Sequence, residues 1–257
     1  MDLGIAGKVA LVTASSGGMG RNIAHSLAAE GANVVLFARS ADKLQAVAEE
    51  IEKKHGVKAV AVAGSMLETA DVRRLAGTLK ELGGPDIVVL VTGRPPNPLR
   101  DTLDENDESR WTEAYQTQLW AVVQVMNAVA PLMLPRGWGR IIAVTSASAK
   151  EPMALHALST VFRAGVAAYM KGLSKEIGHT GITINCVGPA LIDTSHRTGK
   201  SAYTAEQTKH RESLTPLGRM GTQEELCGVI AFLASRQAGF VNGSTIQVEG
   251  GMGNSLF

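Results

Sequence analysis

The chain has 257 residues, 45% of them hydrophobic, with 25 basic side chains against 24 acidic ones. That apolar content is ample for one large α/β core or two small ones, and the even charge, with no run of Lys or Arg, argues against a nucleic-acid or membrane-surface partner and for a small-molecule substrate. Two cysteines, Cys186 and Cys227, stand in no metal-like or redox spacing and are expected to be buried free thiols of a reducing compartment, with no disulfide and no metal.

The opening residues, MDLGIAGKVALV, carry no basic stretch followed by a long apolar run and a cleavage site. No apolar run approaches about 18 residues, so a cytoplasmic protein is expected. From there, short β-rich runs alternate with helical patterns. KVALVT (8–13) is the first strand, followed by an amphipathic segment near 19–30; NVVLFA (33–38) is followed by 41–55, and KAVAVA (58–63) by 68–82. DIVVLV (86–91) leads into a Pro-rich and then acidic stretch, RPPNPLRDTLDENDES (94–109), which reads as a long surface loop, and then into a helix over 109–133. GRIIAVTS (139–146), a helix over 155–178, GITINCV (181–187), a helix over 222–234 and STIQVE (244–249) complete the series. Most of the strands are apolar on both faces, which suits parallel strands covered by helices on two sides, and each helix is long enough for a right-handed crossover. The pattern predicts a single-domain, Rossmann-like doubly wound α/β fold: a parallel seven-stranded sheet with helices on both faces.

The first strand runs directly into TASSGGMGRNIAHSLAAEGA (13–32). Gly18 and Gly20, with Gly17 before them, allow a tight turn and a close backbone approach to a pyrophosphate at the N-terminus of the next helix. A strand-to-helix turn can want glycine without any ligand, but this one lies after a first strand and opens a helix, the context a dinucleotide loop requires.

On these residues the chain resembles the short-chain dehydrogenase/reductase family, whose glycine motif is T-G-x-x-x-G-x-G. Thr13, Gly18 and Gly20 match, and Ala14 replaces the first glycine. The resemblance extends over essentially the whole chain: NCVGPALIDT (185–194) is similar to the family's N-x-V-x-P-G-x-I-x-T segment, with Ala190 in place of glycine, and PLGRMGTQEEL (216–226) and FVNGSTIQVEGG (240–251) resemble its closing helix and last strand. It implies one domain over 1–257, with a dinucleotide-binding half to about residue 145 and a substrate and lid region over about 146–257. It also implies that Thr13, Ser15, Ser16, Gly18, Met19, Gly20, Thr92, Gly93, Pro189, Ala190, Ile192 and Thr194 line the cofactor. Family members usually form tetramers through the long helices, here 109–133 and 155–178, so a homo-oligomer, tetramer or dimer, is expected, with Trp120 and Val123 on the exposed faces.

Cofactor choice is read at the end of the second strand. An acidic residue there would bind the ribose 2′-hydroxyl of NAD, whereas Arg39 can pair with a 2′-phosphate and Ser40 can add a hydroxyl contact, so NADP(H) is favoured over NAD(H). A solvated surface arginine is the competing reading. Ser65 stands where the family's aspartate meets adenine, and LVTG (90–93) where the family has N-N-A-G.

The family's chemistry depends on an Asn–Ser–Tyr–Lys set. Ser146 matches the serine, whereas Ser159 takes the tyrosine position, Arg163 the lysine position and Gln118 the asparagine position. A phenol near pKa 10 can be drawn toward neutrality by an adjacent cation; an aliphatic hydroxyl is far less acidic, and an arginine above about pKa 12 passes on no proton. The site therefore loses its usual acid and keeps a hydroxyl-lined positive pocket, in which Arg163 can hold the nicotinamide ribose and stabilise an oxyanion. Substitute donors are His156, one turn before Ser159, and His196 or Tyr203 in the lid segment 191–214; a solvent-facing or pocket-shaping role competes in each case. Tyr169 reads as packing. Met153, Leu155 and Leu191 suggest an apolar share of the substrate pocket, with Arg94 near its mouth.

The reading is an NADP(H)-dependent oxidoreductase acting on a carbonyl/alcohol pair with an atypical Ser146, Ser159 and Arg163 set. The alternatives are a non-redox lyase, isomerase or dehalogenase-like enzyme on the same fold, or a catalytically silent nucleotide-binding protein. Halohydrin dehalogenases carry arginine in the lysine position too, but they keep the tyrosine and have lost the nucleotide loop, the opposite of this chain.

Overall fold

Seven parallel strands form one sheet in the order β3-β2-β1-β4-β5-β6-β7. The computed structural model describes residues 2–193 and 204–256. In chain order the strands are β1 (Val9–Thr13), β2 (Asn33–Ala38), β3 (Ala59–Ala63), β4 (Ile87–Leu90), β5 (Gly139–Val144), β6 (Ile182–Pro189) and β7 (Thr245–Val248). The helices are α1 (Gly18–Ala29), α2 (Ala41–His55), α3 (Thr69–Glu81), α4 (Glu108–Ala114), α5 (Ala121–Met133), α6 (Ala157–Ile177), α7 (Ala205–Ser213) and α8 (Gln223–Ala234).

Strand periodicity sorts the apolar side chains into two cores. Ala10, Val12, Val34, Leu36, Ile87 and Val89 point to the face covered by α1, α2 and α8. Their neighbours Leu11, Val35, Phe37, Val88 and Leu90 point to the face covered by α3, α5 and α6. Burial on both sides is why these runs lack the alternation of a half-exposed strand, and each fully buried Leu, Ile or Phe contributes about 1.5–3 kcal/mol of hydrophobic stabilisation. At the other end of the sheet Asp86 accepts from the Val9 amide (2.9 Å) and pairs with Arg136 (2.7 Å) and Lys8 (3.5 Å), locking the starts of β1 and β4 together.

The structure departs from the sequence expectations in four places. The helix expected over 109–133 begins at Glu108 and is interrupted by a π-helical segment, Tyr115–Trp120, between α4 and α5. Helix α7 was not foreseen; a capping box of Thr204 and Gln207 starts it, and its largely polar surface offers no core-facing stripe to read. The stretch 94–109 is not simply a solvated loop: Glu105 is buried in an ion pair with Arg110 (2.5 Å), and Arg110 also donates to the carbonyls of Asn97 and Pro98 (3.2 and 2.7 Å), tying the loop to α4. Finally, the helical run Glu108–Arg136 is long and apolar enough to cross a membrane by length and composition. Its Val122, Val125, Met126, Val129 and Met133 are buried in the sheet-facing core, which accounts for that composition. Both cysteines are buried free thiols, and burial pushes each up to about 12.

Ala14 sits at φ 50, in the left-handed region that an alanine enters at a cost. Ala190, the other alanine standing where the family has glycine, adopts no positive φ and carries no such strain. Ala14→Gly is therefore expected to stabilise the fold by about 1 kcal/mol, net of the entropy glycine adds to the unfolded chain, as read by the urea midpoint. No gain would mean that the turn is already relaxed around the methyl group.

Candidate functional site

The strand order reverses between β1 and β4, and side chains and loops at the C-terminal ends of the strands converge there. Thr13 closes β1; its hydroxyl donates to the Val91 carbonyl (2.7 Å) and accepts from the Val91 amide (2.8 Å). Ser15 is fully buried and accepts from the Phe37 amide (3.1 Å). Both side chains therefore bind the scaffold rather than the cleft, and what they offer a ligand is the shape of the turn.

The glycines divide the work of that turn. A Cβ on Gly20 would lie 2.4 Å from the Ala14 carbonyl oxygen, so only glycine lets α1 approach the end of β1 this closely. Gly18, at φ 55, and Gly17 face open space, leaving the backbone uncovered. The first turn of α1 holds no acidic residue and no side-chain cap, so its unpaired N–H groups are left for an anion.

Beside this turn opens a cavity of about 590 Å³. Ala14 and Ser16 form one wall, Ala38, Arg39 and Ser40 the second, Gly64 to Leu67 the third, and Thr92, Gly93 and Thr117 the far end. Arg39 is exposed at its rim and forms no ion pair among the described residues. Ser40 precedes α2 without capping it, so its hydroxyl is spare. Ser65 is occupied: its amide donates to Asp71 (2.9 Å) and its hydroxyl accepts from the Leu67 amide (3.2 Å). The Thr92 hydroxyl is buried and unpartnered. An open glycine turn, an uncapped helix start, a free guanidinium and an orphaned hydroxyl along one cavity fit a phosphorylated dinucleotide.

The remaining residues meet where α6 packs against the turn after β5 and against the π-helical segment. Ser146 precedes a short 3-10 turn, Ala147–Ala149; its hydroxyl lies 2.9 Å from that of Ser148 and accepts from the Ser148 amide (3.2 Å). Ser159 is buried in the first turn of α6, with Arg163 one turn further along. Arg163 is 8% exposed, and its guanidinium donates in three directions: to Gln118 Oε1 (3.1 Å), to the Val144 carbonyl (2.9 Å) and to the Gly93 carbonyl (2.8 Å). Burial lowers it to about 10, so it remains a cation at neutral pH, with no carboxylate partner among the described residues. Gln118 is fully buried and its Nε2 has no partner. This arrangement fastens the ends of β4 and β5 to the π-helical segment, an arginine role that sequence reasoning missed; nothing in YQTQLW announces the extra residue that turns Gln118 inward.

His156 donates from Nδ1 to the Ala154 carbonyl (2.6 Å), so in its neutral form the other ring nitrogen is an acceptor and not an acid. Thr194, His196 and Tyr203 lie outside the described residues. Tyr169 packs against the sheet core, and burial raises its phenol above the usual range. Leu191 is buried, whereas Leu155, at φ 62, and Arg94 are exposed. Pro189 and Ile192 are buried and Ala190 and Met19 half-buried around the path leaving β6 and entering α1.

Comparison with known proteins follows this geometry. Residues 13–253 match a family model described as enoyl-(acyl carrier protein) reductase. The chain is 32% identical to the 3-oxoacyl-[acyl-carrier-protein] reductase FabG of Aquifex aeolicus, over 98% of this chain and 100% of that one. It is 34% identical to the FabG of Pseudomonas aeruginosa, over 97% and 99% respectively. The crystal structure of L-sorbose reductase from Gluconobacter frateurii complexed with NADPH and L-sorbose superposes with a TM-score of 0.91 at 31% identity, covering both chains completely.

Proposed function

The chain belongs to the short-chain dehydrogenase/reductase family and is an oxidoreductase of that kind, and on this premise we propose that it uses NADP(H) to interconvert a small-molecule carbonyl and alcohol through an atypical Ser146, Ser159 and Arg163 set. The observation that carries the cofactor reading is the unpaired Arg39 on the rim of the cavity beside the open glycine turn. Arg39 holds a 2′-phosphate, with the Ser40 hydroxyl beside it, and the start of α1 receives the diphosphate. Thr92 and Gly93 border the far end of the same cavity. When bound, the nicotinamide supplies the two-electron carrier. NADPH stands in the sorbose reductase complex, which supports the choice.

Within the cleft Ser146 orients the reacting oxygen, its hydroxyl set by the Ser148 contact. Arg163 provides a fixed positive charge in a low-dielectric setting, where charge on that oxygen is stabilised without reorganisation. With three of its N–H groups bound to the scaffold, two remain for the ribose or the oxygen. Ser159 adds a hydroxyl that relays through water. The Nδ1–H of His156 is committed to the Ala154 carbonyl, so the neutral ring is not assigned as the acid, and water is the proton source proposed. A homo-oligomer is part of the proposal, supported by the exposed Trp120 on the α4–α5 run.

The test is a turnover panel of aldehydes, ketones and their alcohols with NADP(H) and NAD(H), coupled to cofactor titration of Arg39→Ala. A charge-assisted phosphate contact is worth about 1.5–3 kcal/mol, so the variant is expected to lose about 10–100-fold in NADPH affinity with NADH unchanged. Equal losses for both cofactors would overturn the 2′-phosphate assignment, and no nicotinamide-dependent turnover across the panel would overturn the redox reading.

A further inference from the structure

A second cavity, of about 560 Å³, opens away from the cleft between α1, α2 and α8. His25 of α1 and His55, the last residue of α2, meet on its wall with His25 Nδ1 3.2 Å from His55 Nε2 and their rings edge to face. We propose that these two nitrogens are ligands of one divalent transition-metal ion of the nickel, copper or zinc kind, which joins α1 to α2.

Imidazole nitrogens hold such ions at about 2.0–2.1 Å, and two of them at a tetrahedral angle stand roughly 3.3 Å apart, close to the separation seen. Behind His25, Glu50 Oε1 lies 3.6 Å from the buried Nε2, which has no hydrogen-bond partner. At that distance the carboxylate accepts no hydrogen bond from the ring, but its negative charge favours the tautomer with the proton on Nε2, which leaves the Nδ1 lone pair free. Glu50 is itself held by Arg21 (2.5 Å). The cavity wall carries Glu30, Glu50 and Glu224 together with Arg21 and Lys54. No group of three or more His, Cys, Asp or Glu side chains is poised to hold an ion among the described residues, so the protein supplies two ligands and water from the cavity completes the shell. A direct hydrogen bond between the rings would give the same separation; the ion replaces the shared proton, which moves to the other nitrogen of His55.

The experiment uses the untagged full chain, stripped with chelator at pH 7.5 and titrated calorimetrically with ZnCl₂ and with NiCl₂. One saturable ion per chain is expected, weakened at least about tenfold by His55→Ala and by Glu50→Gln. Electron paramagnetic resonance of the Cu²⁺-loaded protein is expected to show two nitrogen ligands, falling to one in His55→Ala. No saturable binding, unchanged affinity in His55→Ala, or an unchanged nitrogen count would overturn the proposal and leave the pair as hydrogen-bonded rings. His55 ends a surface helix far from the cleft, so the variant folds and keeps the basal activity.

Discussion

Ser159→Tyr combined with Arg163→Lys is expected to raise the turnover of a simple ketone by about 10²-fold or more. The wild-type site holds a hydroxyl partner in Ser146 and a buried cation, but an aliphatic hydroxyl instead of a phenol at position 159. General acid–base assistance is typically worth about 10²–10⁴-fold, and a phenol beside an ammonium supplies it where an aliphatic hydroxyl cannot. The residues are one helical turn apart on α6, which puts both side chains on one face. Ser159→Tyr alone is expected to gain less, because the arginine, bound to three scaffold acceptors, is poorly placed to lower the phenol's pKa. Steady-state rates with NADPH over pH 5–10 check this, and the double variant is expected to acquire a basic limb that the wild type lacks. An unchanged rate and an unchanged profile would show that proton supply does not limit this enzyme and that the substrate requires none at its oxygen.

Arg163→Met is expected to cost about 2–4 kcal/mol of stability, seen as a fall of roughly 5–15 °C in Tm, together with a large loss of turnover. Two carbonyls, at Gly93 and Val144, and the Gln118 amide oxygen lose their donor in a buried setting, at about 1–3 kcal/mol for each group left unsatisfied. Part of this is offset, since the variant no longer buries a cation without a carboxylate partner. Arg163→Lys keeps the charge but not the fork, so it is expected to retain more activity than stability. If Arg163→Met kept wild-type stability and lost only turnover, the arginine would be a ligand-facing charge and not a tie between strand ends.

Much of the fold was legible because its signals are local. A parallel strand covered on both faces must be apolar throughout, as NVVLFA is, and a glycine turn entering a helix declares itself in adjacent letters. That Ser159 and Arg163 stand where the family resemblance expects tyrosine and lysine was legible for the same reason, by counting on from Ser146. The paired histidines were not, because His25 and His55 are 30 residues apart and only the packing of α1 on α2 brings them together. Likewise Glu105 read as part of an acidic, solvated stretch, and only its burial against Arg110 shows otherwise.

The sequence by itself determined the doubly wound sheet, the glycine turn between β1 and α1, the arginine at the end of β2 and the absence of a tyrosine at position 159, since each depends on residue type at short range. Tertiary structure alone decided what those side chains do. It turned Thr13 and Ser15 into the scaffold, twisted the helix at Gln118 inward and spent most of the Arg163 guanidinium on carbonyls from two other strand ends. The physical reason is that a buried donor must find an acceptor, and which acceptor lies within 3 Å is set by how distant segments pack.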